Sequence, residues 1–229
     1  MRGPELHSYE SPEALFDALA ADLAGRLADG GTLVCAGGTT PAPLYRRLAS
    51  SPLPWSRITV LPSDERWLPA ASPDSNENLL RRTLLTGPAA AARFQPLTTP
   101  DPTPEAGRPA LDAAVRALPR PFAATVLGMG ADGHTASLFP GAEGLEAALD
   151  PAGSALVAAL RPAEAAGSTA RISLTVRALL DSRVQFLLVR GEEKRRVLER
   201  ALVPGPAADL PVRAVLLQDR VPVHIYWAP

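Results

Sequence analysis

Apolar residues follow two rhythms along this chain. In the first they recur at helical spacing. Leu15, Leu19, Leu23 and Leu27 stand four apart, which places them on one face of an α-helix. Ser11-Pro12-Glu13 ahead of them offers an N-cap, a proline at the first helical position and an acid in the first turn. Gly30-Gly31 ends the segment. In the second rhythm four or five mostly apolar residues run together between turn residues, as in strands buried on both faces. Such runs predict strands at 32–36, 58–61, 123–127, 155–159, 172–175, 185–189, 214–217 and 223–227. Further helices are predicted from Pro41, with Thr40 as its cap, over 75–85 with Leu79, Leu80, Leu84 and Leu85 inward, over 110–118 up to Pro119, and over 192–202. Residues 96–109, rich in Pro and Thr, read as a surface connection.

Strands alternating with helices predict an α/β fold: a single Rossmann-like domain over residues 1–229, with a mostly parallel central sheet flanked by helices. Ligands of such sheets sit beyond the carboxyl ends of the strands. Three segments of chemical character follow predicted strands directly.

Composition narrows the partners. Hydrophobic residues make up 46% of the 229 and charged residues 21%, which argues against disorder. The formal net charge of −1 leaves no basic footprint for nucleic acid. The single cysteine, Cys35, excludes an intrachain disulfide framework and a cysteine zinc cluster. It lies in an apolar run and reads as a buried, inert thiol. No apolar run reaches the roughly 18–20 residues of a membrane span, and the polar start MRGPELHSYESPE lacks a signal-peptide core. A cytoplasmic protein with no membrane partner is expected.

The first segment is Gly37-Gly38-Thr39-Thr40-Pro41. Its glycines allow a tight turn and close approach to a ligand, and free N–H groups at a helix start suit phosphate; a plain strand-to-helix turn is the alternative. The second is Asp64-Glu65-Arg66 with Ser75-Asn76 beyond it, either a substrate-positioning pair or a solvated charged loop. The third, Gly128-Met129-Gly130-Ala131-Asp132-Gly133-His134, has G-x-G-x-x-G spacing. A dinucleotide site is one reading, with Glu146 and Asp150 as ribose-binding acids, although Pro140-Gly141 interrupts the helix that should follow. The other reading centres on His134, the histidine beside a glycine-rich strand end with a neighbouring carboxylate, Asp132. An imidazole titrating near neutrality suits proton transfer. His7 lies near the terminus and His224 in the last strand. A fourth feature is Arg171-Ile172-Ser173-Leu174-Thr175 with Gly191-Glu192-Glu193-Lys194. Its cations suit a phosphate, unless they only salt-bridge a helix start. Lys194 is the only lysine in the chain.

Together and in this order, these segments resemble the 6-phosphogluconolactonase family. The stretch Asp132-Gly133-His134-Thr135-Ala136-Ser137-Leu138-Phe139-Pro140 is the specific part, and the resemblance spans roughly residues 10–228. The glucosamine-6-phosphate deaminases are similar in fold and carry a catalytic glutamate five residues after the histidine. Phe139 holds that position here, so the chain sides with the lactonases. In one respect it departs from them. They often carry a lysine in the Pro-rich loop before the Arg171 strand; residues 161–169 have none, and Arg161 is the cation available instead.

The resemblance implies a hydrolase of carbohydrate metabolism, acting on 6-phospho-D-glucono-1,5-lactone in the pentose phosphate pathway. His134 would be general base and then acid, Asp132 would orient it, and Arg66 would hold substrate or oxyanion. Asp64 would make a polar substrate contact. Gly37, Gly38, Thr39 and Thr40 would contact the phosphate, with Arg171 and Lys194 supplying charge. No cofactor and no metal are implied, because an ester is already activated toward attack. Leu138 and Phe139 are expected to pack beneath the His134 loop. The rival expectations are a deaminase/isomerase, a nicotinamide oxidoreductase and a non-catalytic sugar-phosphate-binding protein.

Overall fold

The structure, a computed structural model, describes residues 3–162 and 169–229. It opens on β1 (Glu5–Ser8) and α1 (Pro12–Arg26). The Ser11 side chain caps α1, accepting from the Ala14 N–H at 3.2 Å, and all four leucines of the predicted stripe are fully buried. Gly30, with φ of 83°, turns the chain into β2 (Gly31–Cys35); a Cβ there would stand 2.7 Å from the Arg57 carbonyl. There follow α2 (Ala42–Ala49), β3 (Ile58–Pro62), β4 (Asp64–Arg66), α3 (Asn76–Thr83), β5 (Arg93–Phe94) and α4 (Pro104–Arg116). The second half runs β6 (Ala124–Gly128), α5 (Leu145–Leu149), β7 (Val157–Leu160), β8 (Arg171–Leu174), α6 (Val176–Leu179), β9 (Gln185–Arg190), α7 (Glu192–Ala201), α8 (Arg213–Leu216) and β10 (Val223–Ala228).

Seven strands form one parallel sheet in the order β1-β10-β9-β6-β2-β3-β5. Its central strands β2, β3, β6 and β9 are mostly apolar because both faces are covered. Along β2, Leu33 and Cys35 join the core under α1 and α2, whereas Val34 joins the core under α4 and the C-terminal helices. In β9, Phe186 and Leu188 face the first core and Leu187 and Val189 the second. Successive strand residues point to opposite faces, so each short run serves two cores. Cys35 is fully buried and burial pushes its thiol well above the usual range, as expected of an inert residue.

A second sheet of three antiparallel strands, β4-β8-β7, holds the segments read as Asp64-Glu65-Arg66 and Arg171-Ile172-Ser173-Leu174. The first of these is therefore a buried strand and not a charged loop. Two other readings are corrected. The run at 214–217 is helical, as α8, and Val215 and Leu216 both join the core under α4 and the C-terminal helices; a strand would have sent them to opposite faces. Helix α4 starts at Pro104, not at 110. Thr103 caps it by accepting from the Ala106 N–H at 3.3 Å, with Pro104 and Glu105 completing the start signal seen at 11–13.

Asp112 of α4 fastens the small sheet to the rest. Its carboxylate accepts from the Leu156 and Val157 amides at 2.6 and 3.2 Å and from Arg116 at 2.8 Å. Burial raises its pKa, but these donors more than reverse that, leaving it below the usual carboxylate value. A depressed folded-state pKa contributes stability above the unfolded value of about 3.9, and that contribution is lost as pH falls through the folded pKa. Asp112→Ala is expected to cost about 1.5–3 kcal/mol at pH 7, and clearly less near pH 3. Urea denaturation at both pH values checks this; an equal cost at both would mean that the carboxylate's charge plays no part.

Candidate active site

The carboxyl ends of β2, β3 and β6, the strands β4 and β8, and the start of α7 surround a cavity of about 400 Å³. From β2, the chain runs through Gly37 and Gly38 into α2. Gly38 has φ of 82°, and a Cβ on Gly37 would overlap the Asn76 side chain. Glycine here thus lets the start of α3 close against the loop. Gly37, Gly38, Thr39 and Thr40 all face the cavity. Thr40 does not cap α2: Pro41 occupies the cap position, and no side chain bonds there.

His134 stands at the end of the β6 loop. Asp132 Oδ1 faces His134 Nδ1 at 2.6 Å and also accepts the His134 backbone N–H at 3.1 Å. A carboxylate at Nδ1 keeps the proton on that nitrogen and leaves Nε2 as the acceptor. Burial raises the Asp132 pKa, and the hydrogen bond and charge of His134 outweigh it, so the carboxyl sits below its ordinary value. The loop is tightly closed. Gly130 N–H donates to the His134 carbonyl at 2.9 Å, and Val212 N–H to that of Gly133 at 3.0 Å. A Cβ on Gly130 would overlap both His134 Nδ1 and Asp132 Oδ1. The ring of Phe139 lies 4.2 Å from that of His134, tilted by 37°. Phe139 is 7% exposed: it packs beneath His134, as expected, and also reaches the cavity wall.

Asp64 is buried and tied on both sides. Its oxygens accept from Ser63 Oγ at 2.8 Å and Ser137 Oγ at 2.6 Å, while its carbonyl accepts from Asn76 Nδ2 at 2.7 Å. It touches the cavity, but its hydrogen bonds join β4 to the His134 loop. Glu65 points the other way, into the start of α3. It accepts from Ser75 Oγ at 2.9 Å and from the amides of Asn76, Glu77 and Arg66 at 2.8, 2.7 and 2.8 Å. Burial raises its pKa against the pull of those donors. Sequence reasoning did not find this anchoring role. The signal was a helix start in need of an acceptor, but nothing in the sequence pairs Glu65 with it.

Arg66 is held by the Asp74 carbonyl at 2.7 Å and Asn76 Oδ1 at 3.1 Å. In the antiparallel register Arg66 lies directly opposite Arg171, and like charges so placed repel. Burial and the charge of Arg66 both lower the pKa of Arg171, whose guanidinium lies 5.4 Å above the Phe139 ring. Lys194, in the first turn of α7, is the third cation at the cavity. Among the described residues, none of the three has a carboxylate within 4.0 Å. Such a group of cations suits an anionic ligand.

Arg161 does not replace the missing loop lysine: it pairs with Glu105 at 2.8 Å and is not part of the cavity wall. Residues 163–168 of that loop lie outside the described residues. The dinucleotide reading also fails on geometry. After Gly133 the chain makes turns, and the next helix, α5, begins only at Leu145, so no helix start stands behind the glycines to receive a pyrophosphate. No helix among the described residues is long and apolar enough to cross a membrane.

Residues 10–227 match the family described as glucosamine-6-phosphate isomerases/6-phosphogluconolactonase. A 6-phosphogluconolactonase of Caulobacter vibrioides is 41% identical over 230 residues, covering 98% of this chain and 97% of its own. The crystal structure of a 6-phosphogluconolactonase from Shewanella baltica superposes with a TM-score of 0.96 at 36% identity, over 100% of this chain and 99% of its own. A solved monomeric glucosamine-6-phosphate deaminase shares the fold, with a TM-score of 0.76 at 20% identity over 96% of both chains. With a match over nearly its whole length and relatives this close, the chain belongs to the glucosamine-6-phosphate isomerase/6-phosphogluconolactonase family.

Proposed function

We propose that this chain hydrolyses 6-phospho-D-glucono-1,5-lactone to 6-phosphogluconate, as its relatives' names say of them. The observation that carries this reading is the Asp132–His134 pair at one wall of a cavity that also holds Arg66, Arg171 and Lys194. One proton acceptor and one anion grip are what lactone hydrolysis of a phosphosugar needs. His134 Nε2 takes a proton from water as the oxygen attacks the lactone carbonyl. The tetrahedral oxyanion is stabilised by a nearby guanidinium, for which Arg66 is best held. The bond from the former carbonyl carbon to the ring oxygen then breaks, and the imidazolium returns its proton to that oxygen. Asp132 steadies the imidazolium between the two transfers. The phosphate sits on the Gly38-Thr39-Thr40 turn, with Arg171 and Lys194 supplying charge. Phe139 favours this chemistry over deamination, since no carboxylate stands where the deaminases have their glutamate.

Freshly made lactone in a coupled dehydrogenase assay, corrected for spontaneous opening, tests the reading. Turnover well above background is expected; its absence would leave a sugar-phosphate-binding protein. Within that assay, Lys194→Ala should raise KM about 10- to 100-fold, the loss of one charged hydrogen bond, with kcat little changed. The reverse pattern would move Lys194 into the chemistry.

A further inference from the structure

The amino-terminal ends of β1 and β10 lie at the edge of the large sheet, away from the cavity at the carboxyl ends of the central strands. Glu5 pairs in register with His224, and His7 with Tyr226. Strand residues two apart share a face, so Glu5, His7 and His224 project to the same side. Their polar atoms converge. His7 Nε2 and His224 Nδ1 are 3.1 Å apart, while their ring centres are 5.4 Å apart, so the two nitrogens point at each other. Glu5 places one carboxylate oxygen 3.8 Å from the His7 nitrogen and the other 3.5 Å from the His224 nitrogen. One N–H shared between the rings satisfies this contact; a modest turn of both rings toward Glu5 would instead converge the two lone pairs and the carboxylate on one cation.

We propose that Glu5, His7 and His224 form a divalent transition-metal site of the zinc class, separate from the catalytic cavity. A tetrahedral ion with metal–nitrogen bonds of about 2.0–2.1 Å holds its ligand atoms roughly 3.3 Å apart; the two imidazole nitrogens, 3.1 Å apart, stand near that value, and one Glu5 oxygen, within 4.8 Å of both, moves inward to complete the set. Two imidazoles and one carboxylate suit Zn²⁺, Co²⁺ or Ni²⁺ and not Mg²⁺ or Ca²⁺, which prefer oxygen ligands throughout. The histidines are partly buried and Glu5 is largely exposed, so an ion can enter from solvent and keep water in its fourth position. Bound there, it joins β1 to β10 across 217 residues of sequence.

Zn²⁺ titration by calorimetry, with Co²⁺ absorption as a second probe, tests the site. The background is full-length His134→Ala, which removes the third histidine as a rival ligand. A single saturable event and a higher melting temperature with Zn²⁺ are expected. Adding His7→Ala or His224→Ala should weaken binding by at least about 10- to 100-fold, the loss typical even of an outer-sphere partner. His7→Ala in the otherwise unaltered protein should keep its lactone turnover, which shows that the variant folds. No saturable binding in the background protein, or binding unchanged by the two histidine variants, would overturn the site and leave a hydrogen-bonded histidine pair sharing one proton.

Discussion

Replacing His134 with alanine is expected to lower the kcat/KM of lactone hydrolysis about 100- to 10,000-fold, the usual contribution of a positioned general base. The size of the effect follows from how firmly the imidazole is set. Asp132 holds Nδ1 from one side, Phe139 supports the ring, and Gly130 leaves room for both Asp132 and His134. The loop keeps its own backbone hydrogen bonds through Gly130, Gly133 and Val212, so the variant should fold with an intact cavity. Phosphate binding should therefore survive while turnover falls. The measurement is initial rate against lactone concentration after subtraction of spontaneous opening. A variant within about threefold of the parent, far from the range of a general base, would remove His134 from the mechanism.

The substitution Phe139→Glu restores the acid of the deaminases in sequence, and it is expected to create no deaminase. It should instead cost about 3–5 kcal/mol, the range for losing a buried phenyl ring, and lower the melting temperature on the order of 10 °C. Phe139 is 7% exposed within the core under α4 and the C-terminal helices. Arg171 lies above its ring, so the new carboxylate has a cation to meet. That offsets part of the desolvation penalty but returns none of the packing. It also draws Arg171 away from the cavity and removes the support of the His134 ring, so lactone turnover should drop as well. Deamination asks for proton transfers at a substrate carbon, and a single added acid does not supply them. Thermal unfolding and assays on both substrates check the outcome. An unchanged melting temperature, or release of ammonia, would contradict it.

Sequence reading succeeded where one residue type had one physical use. The apolar runs of β2, β3, β6 and β9 were legible because a strand covered on both faces has no polar side to confuse the pattern. The polar strand β1 was not legible, since Glu5–Ser8 becomes a strand only by pairing with β10 at the far end of the chain. The small sheet was hidden for the same reason: β4 has three charged residues, and its partner β8 lies about a hundred residues on. In α4 the signal at Thr103-Pro104-Glu105 was present, but Pro109 was read as a boundary when it lies inside the helix. At the site, the glycine-rich loops identified themselves by chemistry and spacing. The anchoring by Glu65, the pairing of Arg66 with Arg171 and the convergence of Glu5, His7 and His224 all depend on strand register, which no local pattern in the chain encodes.

Asp64 sits on the strand that bears Arg66, and its carboxylate receives one hydroxyl from its neighbour Ser63 and another from Ser137, just after His134. Arg171, a phosphate cation in the proposed reaction, stands opposite Arg66 on the paired strand β8, so phosphate grip and proton acceptor are bolted to a common post, and the span between them is set by the protein before any ligand arrives. Under the proposed reaction the cavity then works as a gauge of length. A phosphorylated lactone whose carbonyl lies one carbon nearer its phosphate would be gripped as firmly, yet would hold that carbonyl out of reach of His134. Discrimination among related lactones would then be expressed in kcat, with KM nearly indifferent to which one is bound.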